Sequence, residues 1–255
     1  MDYDQIADDT AEGRMNSVGR RAKVINELLS LIEDSRGTNG GDLVDLGSGT
    51  GYSLFRAMEN YDFDSITCVD ESEEMLHEGR TQSDRRPDNT KYLVSAIEDI
   101  NENGSKYDVA LLNSVVHHLD DLNESFDSAF QVLRPGGALG IYTLSQEQLN
   151  DHHLVRFFPS VAEVNSRRYP PIEDLKTTLD DVGFRHVKSE KVTFDVELDP
   201  QKYLSSIVNK YGSVLHLIND EEYEKGVETI RRRIDEGKPV GQFTGRYTII
   251  ASTKE

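Results

Sequence analysis

A short stretch near residue 45 has the composition of a loop that holds a ligand through its backbone. Residues 42–51 read DLVDLGSGTG, so an apolar run leads into glycine at positions 47, 49 and 51, and a helical pattern begins at Tyr52. Glycine allows a sharp turn and lets the main chain come close to a ligand. The first N–H groups of the following helix point at whatever lies above the loop. The spacing therefore predicts a binding site at the end of this strand.

The sequence of this loop does not match two common ligand-binding glycine loops. The dinucleotide fingerprint G-x-G-x-x-G needs glycine where Tyr52 stands, and a phosphate-binding P-loop needs a Gly-Lys-Ser/Thr sequence that does not follow. A tight strand-to-helix turn without a ligand is the remaining alternative.

Carboxylates follow the next two predicted strands. Asp70 ends the apolar strand of residues 65–70. A carboxylate there can accept hydrogen bonds from both hydroxyls of a ribose, although it also suits a helix N-cap. Ile97 and Glu98 follow the third strand, where they would meet an adenine ring and its amino group; a solvated loop acid is the alternative.

Together with the turn RPGG at 134–137, these motifs resemble the class I S-adenosylmethionine-dependent methyltransferases that act on small molecules. The resemblance covers residues 40–145 and the final strand. It implies S-adenosyl-L-methionine as cofactor and S-adenosyl-L-homocysteine as product. It also implies the Rossmann-like fold of that family.

The resemblance assigns the cofactor contacts residue by residue. The glycine loop would cradle the methionine part, Asp45 would orient its amino group, and Asp70 would hold the ribose. The whole set that it implies is Tyr3, Asp45, Gly47, Ser48, Gly49, Gly51, Asp70, Glu71, Met75, Ala96, Ile97, Glu98, Asn113, Ser114 and His118.

Two histidines follow the fourth strand, beside the place where the resemblance puts the methyl group. His117 and His118 titrate near neutral pH when unperturbed, so we predict that one of them is a catalytic base; simple packing in the loop is the alternative. His152 and His153 are also adjacent, but no carboxylate–histidine spacing accompanies them, and the sequence predicts no metal site.

Acceptor contacts are expected where the chain departs from the strand–helix alternation. The candidates are aromatic or basic: Tyr3, His153, Phe157, Arg167, Arg168, Tyr169 and Tyr211. A guanidinium in this group could clamp a substrate carboxylate. Surface arginines that balance an acidic protein are the alternative.

The elements that must position these residues alternate between strand and helix. This pattern predicts an α/β fold with a doubly wound, mostly parallel seven-stranded sheet, helices on both faces, an antiparallel last strand and a helical lid between strands six and seven. We expect one domain over 1–255, with cap helices in 1–36, a core in 40–145 and lid insertions in 146–172 and 197–240. Helices are predicted at 14–33 and 200–236, strand six at 186–196 and the last strand at 245–252, while 145–171 reads as irregular.

The charge balance narrows the classes of partner. Acidic residues outnumber basic ones 47 to 28, for a net charge of −19, whereas a nucleic-acid binder normally shows a basic face. The single cysteine, Cys68, excludes an intramolecular disulfide framework and a cysteine-cluster metal site. No apolar signal core or membrane-length run is present, so we expect a cytoplasmic protein without a membrane partner.

The predicted function is methyl transfer by direct displacement to an oxygen, nitrogen or carbon acceptor on a small molecule or peptide. The alternative of another class is a non-catalytic module that keeps the fold and binds S-adenosylmethionine. A nucleic-acid methyltransferase is disfavoured by charge, and a dehydrogenase by Tyr52. The apolar faces within 200–236 would form either a lid or a homodimer contact, and the sequence leaves both open.

Overall fold

The computed structural model describes residues 11–58, 61–82 and 86–255, and the side chains of residues 11–17, 82, 102 and 103 are outside that description. The helices are α1 (Ala11–Arg36), α2 (Tyr52–Ala57), α3 (Glu73–Gln82), α4 (Leu122–Val132), α5 (Gln146–Asn150), α6 (Ser160–Arg168), α7 (Ile172–Val182), α8 (Pro200–Val208) and α9 (Asp220–Asp235). The strands are β1 (Asp42–Leu46), β2 (Ser65–Asp70), β3 (Thr90–Val94), β4 (Tyr107–Asn113), β5 (Leu133–Thr143), β6 (Arg185–Glu197) and β7 (Gln242–Thr253).

One seven-stranded sheet, in the order β3-β2-β1-β4-β5-β7-β6, organises the chain. Strands β1 to β5 pair in parallel, and β7 runs antiparallel to both β5 and β6. The predicted fold class and antiparallel last strand are confirmed. Because the chain winds outward from β1 to β3 and then returns to place β4 beside β1, the connections leave these two strands in opposite directions. A crevice therefore opens at their carboxyl ends.

Alternating side chains bury both faces of the sheet. On β4, Val109 and Leu111 belong to one apolar cluster, whereas Ala110 and Leu112 belong to the other. Helices α1 to α3 cover the first face, and α4 and α7 cover the second. Each large aliphatic side chain that is fully removed from water stabilises the fold by about 1.5–3 kcal/mol.

A third apolar cluster lies apart from the sheet and joins the two insertions. We call it the lid cluster. It consists of Leu154, Phe157, Phe158, Val161, Tyr203, Ile207, Val214, Leu215, Ile218, Val227, Ile230 and Val240. The first four come from the segment between β5 and β6, and the other eight lie between β6 and β7.

Local boundaries differ from the prediction in several places. The predicted turn at 134–137 lies within β5, and the last strand begins at Gln242 and not at Gly245. The first helix is longer than 14–33 and ends at Arg36, where Gly37 follows with left-handed backbone (φ 71°). Residues 145–171 are not irregular, since α5 begins there with a capping box between Ser145 and Gln148, and α6 follows. The predicted helix 200–236 is divided because Asn219 caps the start of α9 and a 3₁₀ turn, Ser213–His216, precedes it. None of the helices described is long and apolar enough to cross a membrane.

Candidate functional site

The carboxyl ends of the parallel strands open into a cavity of about 590 Å³. The parallel strands contribute the loop after β1, the ends of β2 and β4, the segment after β3 and the end of β5. Helix α1 and the loop after α8 complete the walls. This is the crevice that the sheet order creates. Apart from Ala96 and from Tyr3, which is outside the described residues, the residues predicted to contact the cofactor line it.

The glycine loop forms the floor of the cavity. Gly47, Gly49 and Gly51 all have left-handed backbone, with φ of 71°, 55° and 72°. A side chain at position 47 would place its Cβ 2.5 Å from Cγ2 of Val115, and one at position 51 would place it 2.7 Å from the ring of Phe55. Both the conformation and the space therefore demand glycine at 47 and 51.

Asp70 is fixed at the end of β2 by backbone donors. Its Oδ2 accepts a hydrogen bond of 2.7 Å from the N–H of Gly49, and its Oδ1 accepts one of 3.0 Å from the N–H of Ser72. The carboxylate lines the cavity with the neighbouring Glu71 and with Met75 of α3. Since a carboxylate has about four acceptor positions, these two bonds leave Asp70 able to accept from a ligand.

Asp45 is buried under the loop and has one amide partner. Asn113 donates from Nδ2 to Oδ1 of Asp45 over 2.8 Å. Burial raises the pKa of Asp45 to about 7, although the bond from Asn113 opposes this rise. The Oδ1 of Asn113 is itself buried and has no hydrogen-bond donor among the described residues. The pair thus offers acceptor oxygens where the loop approaches the cavity.

The segment after β3 gives the cavity an apolar residue and an acid. Ile97 and Glu98 line the wall, and Ser95 does so in addition to them, whereas Ala96 is not among the lining residues. Glu98 is held against α4 because its Oε1 accepts from the hydroxyl of Ser125.

The turn after β4 carries the two histidines in different surroundings. His118 lines the cavity, but His117 does not. The ring of His117 lies between those of His118 and Tyr169, each with its centroid 4.1 Å away. Ser114, which precedes this turn, has a left-handed φ of 57° that is unusual for a residue with a side chain, and its N–H donates to the carbonyl of Tyr142.

Burial keeps both imidazoles neutral. It lowers the pKa of His117 to about 2, and the neighbouring His118, Arg168 and Arg21 lower it further. It lowers the pKa of His118 to about 4, again with help from the positive charges of Arg168 and Arg21. His118 is the one of the pair that combines a neutral ring with access to the cavity.

The predicted acceptor residues are dispersed. Tyr211 lines the cavity. Tyr169 is not a lining residue, and its ring stacks on that of His117. Arg168 points its guanidinium at Oγ of Ser213 and Oδ1 of Asn165 rather than into the cavity. Tyr3 lies outside the described residues.

Three other candidates lie away from the cavity walls for clear physical reasons. Phe157 is part of the lid cluster. His153 stacks on Phe243 and hydrogen-bonds the hydroxyl of Tyr203 over 3.1 Å. Arg167 is exposed on α6, where it pairs with Glu163 one turn away. Among the described residues, no three His, Cys, Asp or Glu side chains converge as a metal site would require.

Sequence reasoning did not assign Val18, Arg21 and Ile25 of α1, or Tyr142 of β5, to the site, yet all four line the cavity. The three residues of α1 share one face because they are three and four positions apart. An arginine between two aliphatic residues on the same helix face is the sequence feature that could have indicated a place in the site. Tyr142 gave no local signal, since it reads as an ordinary residue of a buried strand.

Residues 44–139 match the family described as a methyltransferase domain. Arsenite methyltransferase from Halobacterium salinarum is 28% identical over 177 residues, which cover 66% of this chain and 45% of that protein. Demethylmenaquinone methyltransferase from Leptospira interrogans is 26% identical over 176 residues, which cover 60% of this chain and 70% of that protein. The chain thus spans about half the length of the first of these relatives.

Solved structures share the fold over most of the chain. A protein from Anabaena variabilis that is assigned to an antibiotic biosynthesis pathway as a methyltransferase superposes with a TM-score of 0.68 and 20% identity, covering 92% of this chain and 96% of that one. The plantazolicin methyltransferase BpumL, solved with S-adenosylhomocysteine, superposes with a TM-score of 0.59 and 11% identity, covering 96% of this chain and 88% of that one.

Proposed function

From the match of residues 44–139 to a methyltransferase domain and from the shared fold, we propose that the chain is a class I methyltransferase that transfers a methyl group from S-adenosylmethionine to a small-molecule acceptor. The observation that carries the proposal is the floor of the cavity. Three left-handed glycines there lie beside the carboxylates of Asp45 and Asp70.

The cavity fits the cofactor in size and in donor chemistry. Its volume of about 590 Å³ is within the usual range for a small-ligand site. The side chain of Val115 occupies the space that a Cβ at position 47 would fill. Glycine is therefore required there, and the main chain of the loop is exposed to the cavity. The buried Oδ1 of Asn113, which no described residue satisfies, is an acceptor that an ammonium group could complete.

The residues that would hold the cofactor divide by chemistry. Asp45 and Asn113 accept from an ammonium, Asp70 accepts from ribose hydroxyls, and Ile97 with Glu98 presents an apolar surface and an acceptor to a purine. All five line the cavity. The resemblance of the sequence to the family, together with these positions, supports the assignment.

The protein's part in the chemistry is alignment and proton removal. When bound, S-adenosylmethionine supplies an activated methyl group on a sulfonium. His118 lines the cavity as a neutral imidazole, so it can accept a proton from the acceptor at neutral pH. Its low pKa makes it a weak base, which suits an acceptor whose own proton is acidic. His117 and Tyr169, stacked behind it, are positioning residues.

A small acceptor is supported by the relatives, whose names include methylation of arsenite and of menaquinone precursors. Tyr142 of β5 lines the cavity together with Tyr211, Ile25 and Val18, so its wall offers aromatic and aliphatic side chains on which a small acceptor can pack.

Transfer of a labelled methyl group tests the proposal. We expect label from S-adenosylmethionine to appear in at least one member of a panel of small acids, phenols, quinols and amines. Asp70→Ala should lower that rate by more than about tenfold, because two charge-assisted bonds to the cofactor are lost. A protein that binds S-adenosylhomocysteine but transfers label to no acceptor would instead support the non-catalytic binding module.

A further inference from the structure

The charges around the cavity are divided between its two ends. Seven lining residues are carboxylates: Asp45, Asp70, Glu71, Glu98, Asp120, Asp121 and Glu124. Asp45 lies in β1, Asp70 ends β2, Glu98 follows β3, and Asp121 caps α4. Among the described residues that line the cavity, Arg21 alone carries a positive charge at neutral pH.

Arg21 reaches the cavity from the opposite wall. It belongs to α1, which packs on β5 and β7, and its neighbours on the same face, Val18 and Ile25, are buried against the cavity. In the sheet order, β5 is three strands away from β2, which corresponds to about 14 Å at the usual strand spacing. The positive charge of Arg21 acts on Tyr142 of β5 and on both histidines after β4, which places it at the β5 end, away from the acid of β2.

The positive charge at this end has no carboxylate partner in the part of the chain that is described. No hydrogen bond or ion pair of the Arg21 side chain occurs among those residues. Arg168, on the other side of the histidine stack, bonds only the neutral oxygens of Ser213 and Asn165. Among the described residues, neither guanidinium has a carboxylate partner, although the chain has a net charge of −19.

We propose that the acceptor is a small amphipathic carboxylate whose anionic oxygens pair with Arg21 and whose apolar body lies against Tyr142 and Ile25. This inference rests on the proposed function. A guanidinium matches a carboxylate in geometry and in charge. The field of Arg168 favours the same anion. The acidic β1–β3 end repels it, so the two ends of the cavity select ligands of opposite charge.

Binding of a matched pair of probes to the protein saturated with S-adenosylhomocysteine tests the inference. The probes are 3-phenylpropanoate and its amide, which differ in charge but hardly in shape. We expect the carboxylate to bind at least about tenfold more tightly than the amide, since a charged hydrogen-bonded pair is worth more than a neutral one. Isothermal titration calorimetry gives both affinities.

Three variants separate a role in specificity from a role in structure. Arg21→Gln should remove the preference for the carboxylate, leaving the affinities for the amide and for S-adenosylhomocysteine within about twofold, while Arg21→Lys should keep part of the preference. Arg167→Gln, on the exposed face of α6, should change nothing.

Equal affinity for the two probes, no binding of the carboxylate, or an equal loss of both in Arg21→Gln would overturn the inference. None of these results would affect the proposed function. Failure of S-adenosylhomocysteine to bind at all would overturn the proposed function, and the assignment of the acceptor would fall with it.

Discussion

Gly47 and Gly37 have the same backbone conformation, with φ of 71°, but different surroundings. A Cβ at Gly47 would overlap Val115, whereas a Cβ at Gly37 would meet nothing within 4 Å. Comparing substitutions at the two positions therefore separates the effect of backbone strain from the effect of overlap with Val115, which lines the cavity.

We expect Gly47→Ala to lose affinity for S-adenosylhomocysteine by more than about tenfold, because the loop must move to relieve the overlap. Gly37→Ala should cost about 1–2 kcal/mol of stability from its left-handed backbone and leave that affinity unchanged. Calorimetric titration and thermal unfolding of both variants check this. Equal affinities in the two variants would contradict the role of the loop.

Asp45 should make cofactor binding depend on pH. Burial raises its pKa to about 7, so the folded protein holds this proton more tightly than the unfolded chain does. The contribution of Asp45 to stability is therefore greatest at low pH and falls as pH rises from about 4 to about 7. An ammonium bound beside Asp45 favours the ionised form, so binding should release a proton.

The affinity for S-adenosylhomocysteine is thus predicted to rise between about pH 5 and 7 and to level off above. Asp45→Asn, which keeps an oxygen for Asn113, should bind more weakly and with a flatter dependence on pH. Titrations in buffers of different ionisation enthalpy count the released protons. An undiminished pH dependence in the variant would assign the proton to another group.

At the scale of residues, the sequence predicts what local backbone geometry determines. The glycine loop and Asp70 are recognisable because a tight turn and a strand end impose their own residue types. Arg21 and Tyr142 are not, because they meet only after α1 packs on β5. His117 and His118 look equivalent in the sequence, and the direction of each ring separates them.

At the scale of elements, two helical glycines allow the packing of the lid cluster to be tested, one in contact with the cluster and one as a control. A Cβ at Gly226 of α9 would lie 2.1 Å from the ring of Phe158 in the lid cluster. A Cβ at Gly19 of α1 would meet only Nε of Arg56, 3.8 Å away. Alanine is the better helix former at both positions, by about 1 kcal/mol, so only packing distinguishes them.

We predict that Gly19→Ala raises the stability by up to about 1 kcal/mol. Gly226→Ala should lower it by about 1–3 kcal/mol and reduce methyl transfer, because the lid cluster cannot close around Phe158. Affinity for S-adenosylhomocysteine should change little in either variant. Thermal unfolding and calorimetry check this, and a collapse of that affinity in Gly226→Ala would place the lid within the cofactor site.

The elements of the strand–helix alternation were predictable, and the two short helices after β5 were not. Helix α1 has apolar residues at helical spacing, strands β1 to β5 contain short apolar runs, and these elements occur as predicted apart from their ends. Helices α5 and α6 have five and nine residues, too few for a period to emerge. Helix α5 is defined by its capping box and by the packing of Leu149 with Leu144 and Tyr169, and α6 by the packing of Val161 in the lid cluster. Such packing contacts are invisible in the sequence.

At the scale of the whole molecule, charge should dominate the response to salt. The net charge of −19 is spread over 255 residues, so the folded state repels itself. Arg134 joins Asp42 and Asp108 in an ion-pair cluster, but its side chain is 40% exposed, and such pairs contribute little.

We therefore expect the unfolding temperature to rise between about 0.05 and about 0.3 M salt, as screening shortens the range of the repulsion. Sodium chloride and sodium iodide should give similar increases in this range, since screening depends on ionic strength. A fall in unfolding temperature, or a rise with chloride only, would show that repulsion is not the controlling force.

The central claim is that the glycine-loop cavity binds S-adenosylmethionine and its product. Calorimetric titration of the wild-type protein with S-adenosylhomocysteine tests it most directly, with NAD as the control ligand and Asp70→Asn as the control variant. We predict a dissociation constant in the micromolar range, about −8 kcal/mol, for S-adenosylhomocysteine, no binding of NAD, and weaker binding by the variant. No heat with S-adenosylhomocysteine, or tight binding of NAD, would contradict the account and leave the methyltransferase assignment as a statement about fold alone.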